Sequence, residues 1–267
     1  MFRRSPDGLV RIVAALAGVL VLAGVSALGA PQAPPPASQI VDRFIKAIGG
    51  RDAYKKISSM RATGTFELTG QGVRGSFEML QARPDRSLVR TTVEGIGKIE
   101  IGYNGTHGWQ IDPMSGPALL SGRQLKEVAD EAWFDGALYE PDFVKSMTTV
   151  ERTTFDQKPA YKVQIVFVSG SEEFQFFDVE TGLRVGTESK RQTALGVVPT
   201  SSYWRDYKQF GPLLQPTVIV QKPLGIEQVV RLSTFEYDVV PADAFDPPAE
   251  VKALIKSGVT PTGEHGR

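Results

Sequence analysis

The residue types that carry most enzyme chemistry are scarce in this chain. It has two histidines and no cysteine. His107 precedes Gly108-Trp109, and His265 is the third residue from the end. Neither has a partner at metal-ligand spacing, and a zinc site without cysteine needs several histidines or carboxylates close together. Ser169-Gly170-Ser171 reads as a turn between strands, whereas a nucleophile elbow stands between a strand and a helix. Gly70, Gly72 and Gly75 also lie between strands, where a phosphate-binding loop would lead into a helix. Glu172-Glu173 and the set Asp130, Glu131 and Asp135 could mimic the carboxylate pair of a glycosidase. Carboxylates crowd any protein surface, and nothing in their spacing makes these a pair. Asn104-Gly105-Thr106 has the form of a glycosylation acceptor and equally of an Asn-Gly turn; the turn is the simpler reading. The sequence therefore predicts no catalytic set, no metal and no cofactor.

The informative residues are apolar. Trp109, Ile111 and Met114 flank a Pro/Gly-rich turn, and Trp133, Phe134 and Leu138 fall in a segment of helical spacing. Phe66 with Leu68, and Phe77 with Met79, stand two apart, so each pair shares a strand face. Taken singly, each is ordinary core. Taken together, they could line a hollow under a curved sheet, where Met adds an adaptable surface. Such a hollow suits an apolar ligand, because each buried methylene contributes about 0.8 kcal/mol. These ten residues are the candidate cavity and lid. Strand parity decides which of them face inward.

The elements that must position them follow from periodicity. Ile40, Val41, Phe44, Ile45 and Ile48 fall at helical spacing from Ser38, and Gly49-Gly50 ends the helix. A shorter helical stretch covers Arg51 to Ile57. From Ser59 the period changes to two, and alternating segments with Gly, Pro or Asp between them continue to about Ile111. Gly122 to Met147 interrupts them with two predicted helices, broken near Asp135-Gly136 and Pro141. Strands resume at Thr149 and run to Tyr237, with a tight turn over Asp178 to Leu183. Pro247-Pro248 opens a last short helix. The fold class is mainly β (α+β): one curved antiparallel half-barrel sheet of about 11 strands, with helices covering its concave face.

The N-terminus adds a location. Arg3, Arg4 and Arg11 precede an uncharged apolar run from Ile12 to Leu28, followed by Gly29 and Ala30. This is the pattern of a cleavable secretory signal over 1–29. An uncleaved inner-membrane anchor is the alternative, since the run approaches the ~18–20 residues of a spanning helix. Residues 30–38 are a Pro-rich linker, 39–256 the folded domain and 257–267 a disordered tail. About 230 residues remain after cleavage, enough for a core that needs no disulfide. Lys+Arg and Asp+Glu both number 30, so the chain lacks the basic excess of a nucleic-acid binder.

Four stretches carry a family resemblance: Ala47 to Tyr54 with Ile57-Ser-Ser, Gly105-Thr-His-Gly-Trp109, Phe177 to Leu183, and Tyr203 to Pro216. Together with the signal segment, the chain from Ile40 to Pro248 resembles the bacterial outer-membrane lipoprotein-sorting (LolA/LolB-like) periplasmic superfamily. That resemblance implies an unclosed half-barrel with helices as a lid over a hydrophobic cavity. It implies a periplasmic carrier or receptor for lipid or for the acyl chains of a lipoprotein, with inner- and outer-membrane components of the envelope as further partners. Two departures stand out. No Cys is present to anchor a lipid, and no residue here matches the arginine that gates the dedicated carrier. A protein-binding or envelope-scaffold module with a filled cavity, and an enzyme acting on an envelope polymer, are the rival readings.

Overall fold

The computed structural model describes residues 33–193 and 196–258. The export segment and the tail from residue 259 lie outside the described residues. The described residues from Pro34 onward form one compact unit.

In chain order, helices α1 (Ala37–Ala47) and α2 (Arg51–Lys55) lead into β1 (Ser59–Leu68), β2 (Val73–Ala82), β3 (Arg86–Val93), β4 (Gly97–Tyr103), β5 (Gly108–Asp112) and β6 (Gly116–Leu119). Helix α3 (Gly122–Ala132) and a 3₁₀ turn (Phe134–Leu138) follow. The second run of strands is β7 (Val144–Phe155), β8 (Lys158–Phe167), β9 (Glu172–Asp178), β10 (Arg184–Thr193), β11 (Gly196–Phe210), β12 (Leu213–Pro223) and β13 (Gln228–Tyr237). A 3₁₀ turn at Ala242–Phe245 and helix α4 (Ala249–Ser257) close the chain.

All the strands form one antiparallel, open, curved sheet, in the order β6-β5-β4-β3-β2-β1-β13-β12-β11-β10-β9-β8-β7. The chain meanders out to one free edge at β6, crosses to the other at β7, and meanders back until β13 pairs with β1. The crossing is made by α3 and the first 3₁₀ turn. A connector between two free edges must span the hollow side of the sheet, so the topology itself supplies a strap.

The sheet has 13 strands where about 11 are expected from the sequence. The short β6 is hidden by Pro117, which an edge strand tolerates because it pairs on one side only. The second predicted helix is also smaller than its spacing suggests. Phe143, Val144 and Met147 mimic a helical stripe, yet Val144 opens β7. A bulge between Val144 and Ser146 places Val144 and Met147 on one face, opposite Phe167 and Ile165.

Helix α1 is held by packing rather than by its ends. No side chain caps its N-terminus, and a cap is worth about 1 kcal/mol. Ile40, Val41, Phe44, Ile45 and Ile48 are each at most 5% exposed. Burying five such side chains contributes on the order of 10 kcal/mol, which decides the matter. They pack with Tyr139, Phe143, Val163, Ile165 and Phe177 in the main core, on the inner face of the sheet.

A second core lies on the opposite face. There Leu80, Leu88 and Trp109 pack against Phe245 and Val251 of the C-terminal segment. Trp109 is fully buried, and its indole N–H donates to Glu100 at 3.1 Å. Burial opposes the charge on Glu100, but bonds from Lys98, Trp109 and Arg90 hold its carboxyl below the ordinary value. The indole lies directly on Gly102, its cross-strand partner, where a Cβ would overlap the ring. Gly102→Ala is therefore expected to destabilise the fold by about 2–3 kcal/mol through overpacking. Urea unfolding followed by Trp fluorescence checks this; an unchanged midpoint would show that the indole is free to shift.

Candidate functional site

Cross-strand partners share a face, so the register sorts the side chains. Ala62, Gly64, Phe66 and Leu68 of β1 stand opposite Met79, Phe77, Gly75 and Val73 of β2. Across β13 the same face carries Phe235, Leu232 and Val230, and across β12 it carries Ile219. In the other direction it continues through Val89 and Thr91 to Ile101 and Ile99. This is the inner face, because Met60, Ala62, Leu232 and Phe235 join the core under α1. It forms a broad apolar wall over β12, β13 and β1–β4.

Much of that wall is not consumed by packing. Phe66, Leu68, Val89 and Ile99 are only partly buried, and Ile101 is 40% exposed. None of these five belongs to any of the three packed clusters. Trp204, opposite Ile219, is likewise partly buried on this face.

The inner face changes character at β12. Gln175, Thr187, Ser202 and Gln221 lie in one register row across β9, β10, β11 and β12. The first three are at most 7% exposed. Beside them, Tyr139 donates its hydroxyl proton to Gln175, and the Gln175 amide donates to Glu173 at 2.6 Å. Burial pushes the Glu173 carboxyl above its ordinary value, against the Gln175 bond and the charge of Arg184; Asp130 adds to the rise. The inner face is thus amphipathic, with an apolar wall and a polar row meeting at β12.

Helix α3 spans both parts. Toward β4 and β5 it rests Leu125 against the backbone at Gly108. Toward β10 it is held by polar contacts. Arg123 donates to the Lys190 carbonyl, Glu127 accepts from the Gln192 amide, and Glu131 pairs with Arg191. Only Ala132 of this helix is fully buried. Exposed pairs are worth about 0.2–1 kcal/mol each, so α3 is far more lightly held than α1.

Of the acids considered for catalysis, Glu172 and Glu173 open β9, and Asp130, Glu131 and Asp135 belong to this strap. Asp130 accepts from Ser169 and Ser171, Glu131 pairs with Arg191, and Asp135 pairs with Arg83. Asn104 accepts backbone N–H bonds from Thr106 and His107, so it makes an Asx turn. The turn at Asp178 is as expected, with Gly182 at φ +75° and Asp178 accepting from the Glu180 and Thr181 amides.

Of the ten candidates, the structure brings Phe66, Leu68, Phe77 and Met79 together on the inner wall. Trp133, Phe134 and Leu138 lie in the connector. Trp133 stacks on Phe143 at 5.5 Å, while Phe134 and Leu138 are core. Trp109 and Ile111 lie on the outer face, with Leu80 and Leu88 and under α4. Met114 is 91% exposed in the β5–β6 turn. Parity explains the division: Gly102 pairs with both Leu88 and Trp109, so Trp109 takes the face opposite to Met79. Trp204, Ile219, Val230 and the polar row are absent from the sequence-based set. The alternation Ser202, Trp204 and Ile219, Gln221 across the late hairpin is the signal that marks them.

No family model matches the chain, and no curated protein matches it in sequence. Solved structures do match. A LolA superfamily protein from Nitrosomonas europaea aligns over 80% of this chain and 99% of its own, at 14% identity and TM-score 0.53. A DUF1329 family protein from Desulfovibrio piger aligns over 82% and 100%, at 15% identity and TM-score 0.54. A domain from Vibrio parahaemolyticus, assigned to outer membrane lipoprotein sorting, aligns over 82% and 97%, at 11% identity and TM-score 0.50.

The fold is LolA-like. Each likeness covers 80–82% of this chain. Within it, Glu173 gives a measurable pH signature. A carboxyl that ionises less readily in the folded state contributes stability below its ordinary range and loses it as pH rises toward neutral. Glu173→Gln keeps an acceptor for Gln175 and removes the titration. The variant is expected to be more stable than wild type at neutral pH, with the gap closing as pH falls to about 4. Urea melts at the two pH values test this; a constant gap would assign no titration to Glu173.

Proposed function

We propose that this protein is a non-enzymatic carrier or receptor that holds the acyl chains of a lipid or lipoprotein on the inner face of its sheet. One observation carries the reading: Phe66, Leu68, Val89, Ile99 and Ile101 form an inward apolar surface that no packed cluster uses. A sheet-and-helix fold ordinarily buries such a surface, and a contiguous apolar area left open marks a binding site. The lightly held α3 lies across the mouth and supplies a movable cover. Phe77, Met79, Ile219 and Val230 continue the wall, and Trp133 stands in the connector above. The LolA-like fold, and the assignment of one structural relative to outer membrane lipoprotein sorting, agree with this role.

The periplasm is the proposed compartment, on the strength of the basic and apolar N-terminal sequence from Arg3 to Leu28. Among the described residues, no helix is long and apolar enough to cross a membrane.

Two measurements test the reading. Native mass spectrometry of the domain purified without detergent is expected to reveal co-purifying lipid. Titration with a fluorescent fatty acid is expected to saturate. Phe66→Asp puts a charge in the wall at a residue outside the packed clusters. It is expected to weaken that binding by roughly tenfold or more while leaving the circular dichroism and the melt unchanged. Absence of both co-purifying lipid and saturable binding would overturn the carrier reading.

A further inference from the structure

Arg184, at the start of β10, is a cation without a counter-charge on the inner face. Its guanidinium lies 3.6 Å from the centroid of the Trp204 ring and 5.4 Å from that of Phe44. One N–H donates to the Tyr139 hydroxyl at 3.3 Å. Its Nε is shielded from solvent and has no acceptor. Among the described residues, no carboxylate stands within ion-pair distance of it. Three other half-buried arginines have carboxylate partners: Arg83 has Asp135, Arg90 has Glu78 and Glu100, and Arg51 has Asp42 and Glu140. Glu173 feels the charge of Arg184 from a distance, but hydrogen bonds link the two only through Gln175 and Tyr139.

A partly desolvated charge with no partner is costly, and fold stability gives no reason to keep one. Stacking on the indole holds the guanidinium plane; Nη1 is shared with Tyr139, and Nη2, without an acceptor among the described residues, is left to donate to a carboxylate or phosphate. The surroundings extend the same chemistry. Gln175, Thr187, Ser202 and Gln221 run beside it as a row of neutral hydrogen-bonding groups.

The register also links this point to the apolar wall. Trp204 stands opposite Ile219, Ile219 opposite Val230, and Val230 opposite Phe66. Three strand spacings, about 14 Å, therefore lead along one row from Trp204, on which the cation stacks, to the open apolar surface.

We propose that Arg184, stacked on Trp204, is a subsite for the anionic head group, a carboxylate or a phosphate, of an acyl lipid whose chain lies along Ile219, Val230 and Phe66. The proposal rests on the carrier reading and adds a ligand class to it: an acidic acyl lipid rather than a neutral one.

The test is displacement of a neutral fluorescent probe, N-phenyl-1-naphthylamine, from the detergent-free protein by hexadecanoic acid, monohexadecyl phosphate and hexadecanol. At least one anion is expected to displace the probe about tenfold more tightly than the alcohol, as a charge-assisted hydrogen bond implies. The tighter of the two anions identifies the head group. Arg184→Gln is expected to reduce the anion to the alcohol's value and leave the alcohol unchanged. Arg184→Lys, which keeps the charge but not the fork, is expected to retain part of the preference. Equal displacement by all three ligands in wild type would overturn the subsite while leaving the carrier standing. An equal loss for all three in Arg184→Gln would also overturn it, by making Arg184 a structural residue. No binding of probe or ligand would overturn both readings.

Discussion

The pairing of β1 with β13 is the constraint on which the inner face depends. It joins the two meanders, and its ladder runs from Met60 opposite Tyr237 to Leu68 opposite Gln228. Ser58 reinforces its start by donating backbone N–H and hydroxyl to Asp238, both at 2.7 Å. A bulge at Thr63/Gly64 shifts the register once and increases the local bend. At Gly64 a side chain would collide with the Arg231 carbonyl, so the close approach there requires glycine. Without this ladder the apolar wall would be split between two sheets, with its β1–β4 part separated from the polar row. Its contacts join residues far apart in sequence, so it is a late and expensive contact to form.

The two faces of the sheet solve different problems. On the inner face, α1 is sealed by its five apolar side chains, and that block is core. On the outer face, α4 and the turn before it cover Leu80, Leu88 and Trp109. A third cluster, Phe155 with Phe176 and Tyr203, stacks on the outer face farther along. What these three clusters leave over is the wall from Phe66 to Ile101. The candidate site is thus defined by subtraction: it is the apolar surface for which the described residues supply no cover except the lightly docked α3.

Local signals made most of the architecture legible in the sequence. The stripe Ile40 to Ile48, the period-two segments and the Asp178 to Leu183 turn each depend on neighbours in the chain, and each forms as its residues dictate. Three things are not local. Pro117 conceals an edge strand, since its tolerance depends on having a single partner. The bulge after Val144 lets a strand imitate helical spacing at Val144 and Met147. The face taken by Trp109 depends on a count of residues through β3, β4 and their turn. The candidate site suffers most from the last of these. Phe66, Leu68, Phe77 and Met79 group together because β1 and β2 are adjacent, whereas Trp204 and Arg184 meet them only through the register of five strands. Arg184 in particular offers no sequence signal, because its lack of a partner exists only in three dimensions.

The strap has one more consequence. The two free edges of the sheet are tied to each other by their own covalent connector, as the mouth of a pouch is tied by its cord. Flattening the sheet would carry β6 and β7 apart, and the cord between them has fixed length. The mouth therefore has a maximum gauge, set by the slack between Leu119 and Val144. Access to the inner face, on the carrier reading, would then come from the cord sliding aside rather than from the pouch unrolling.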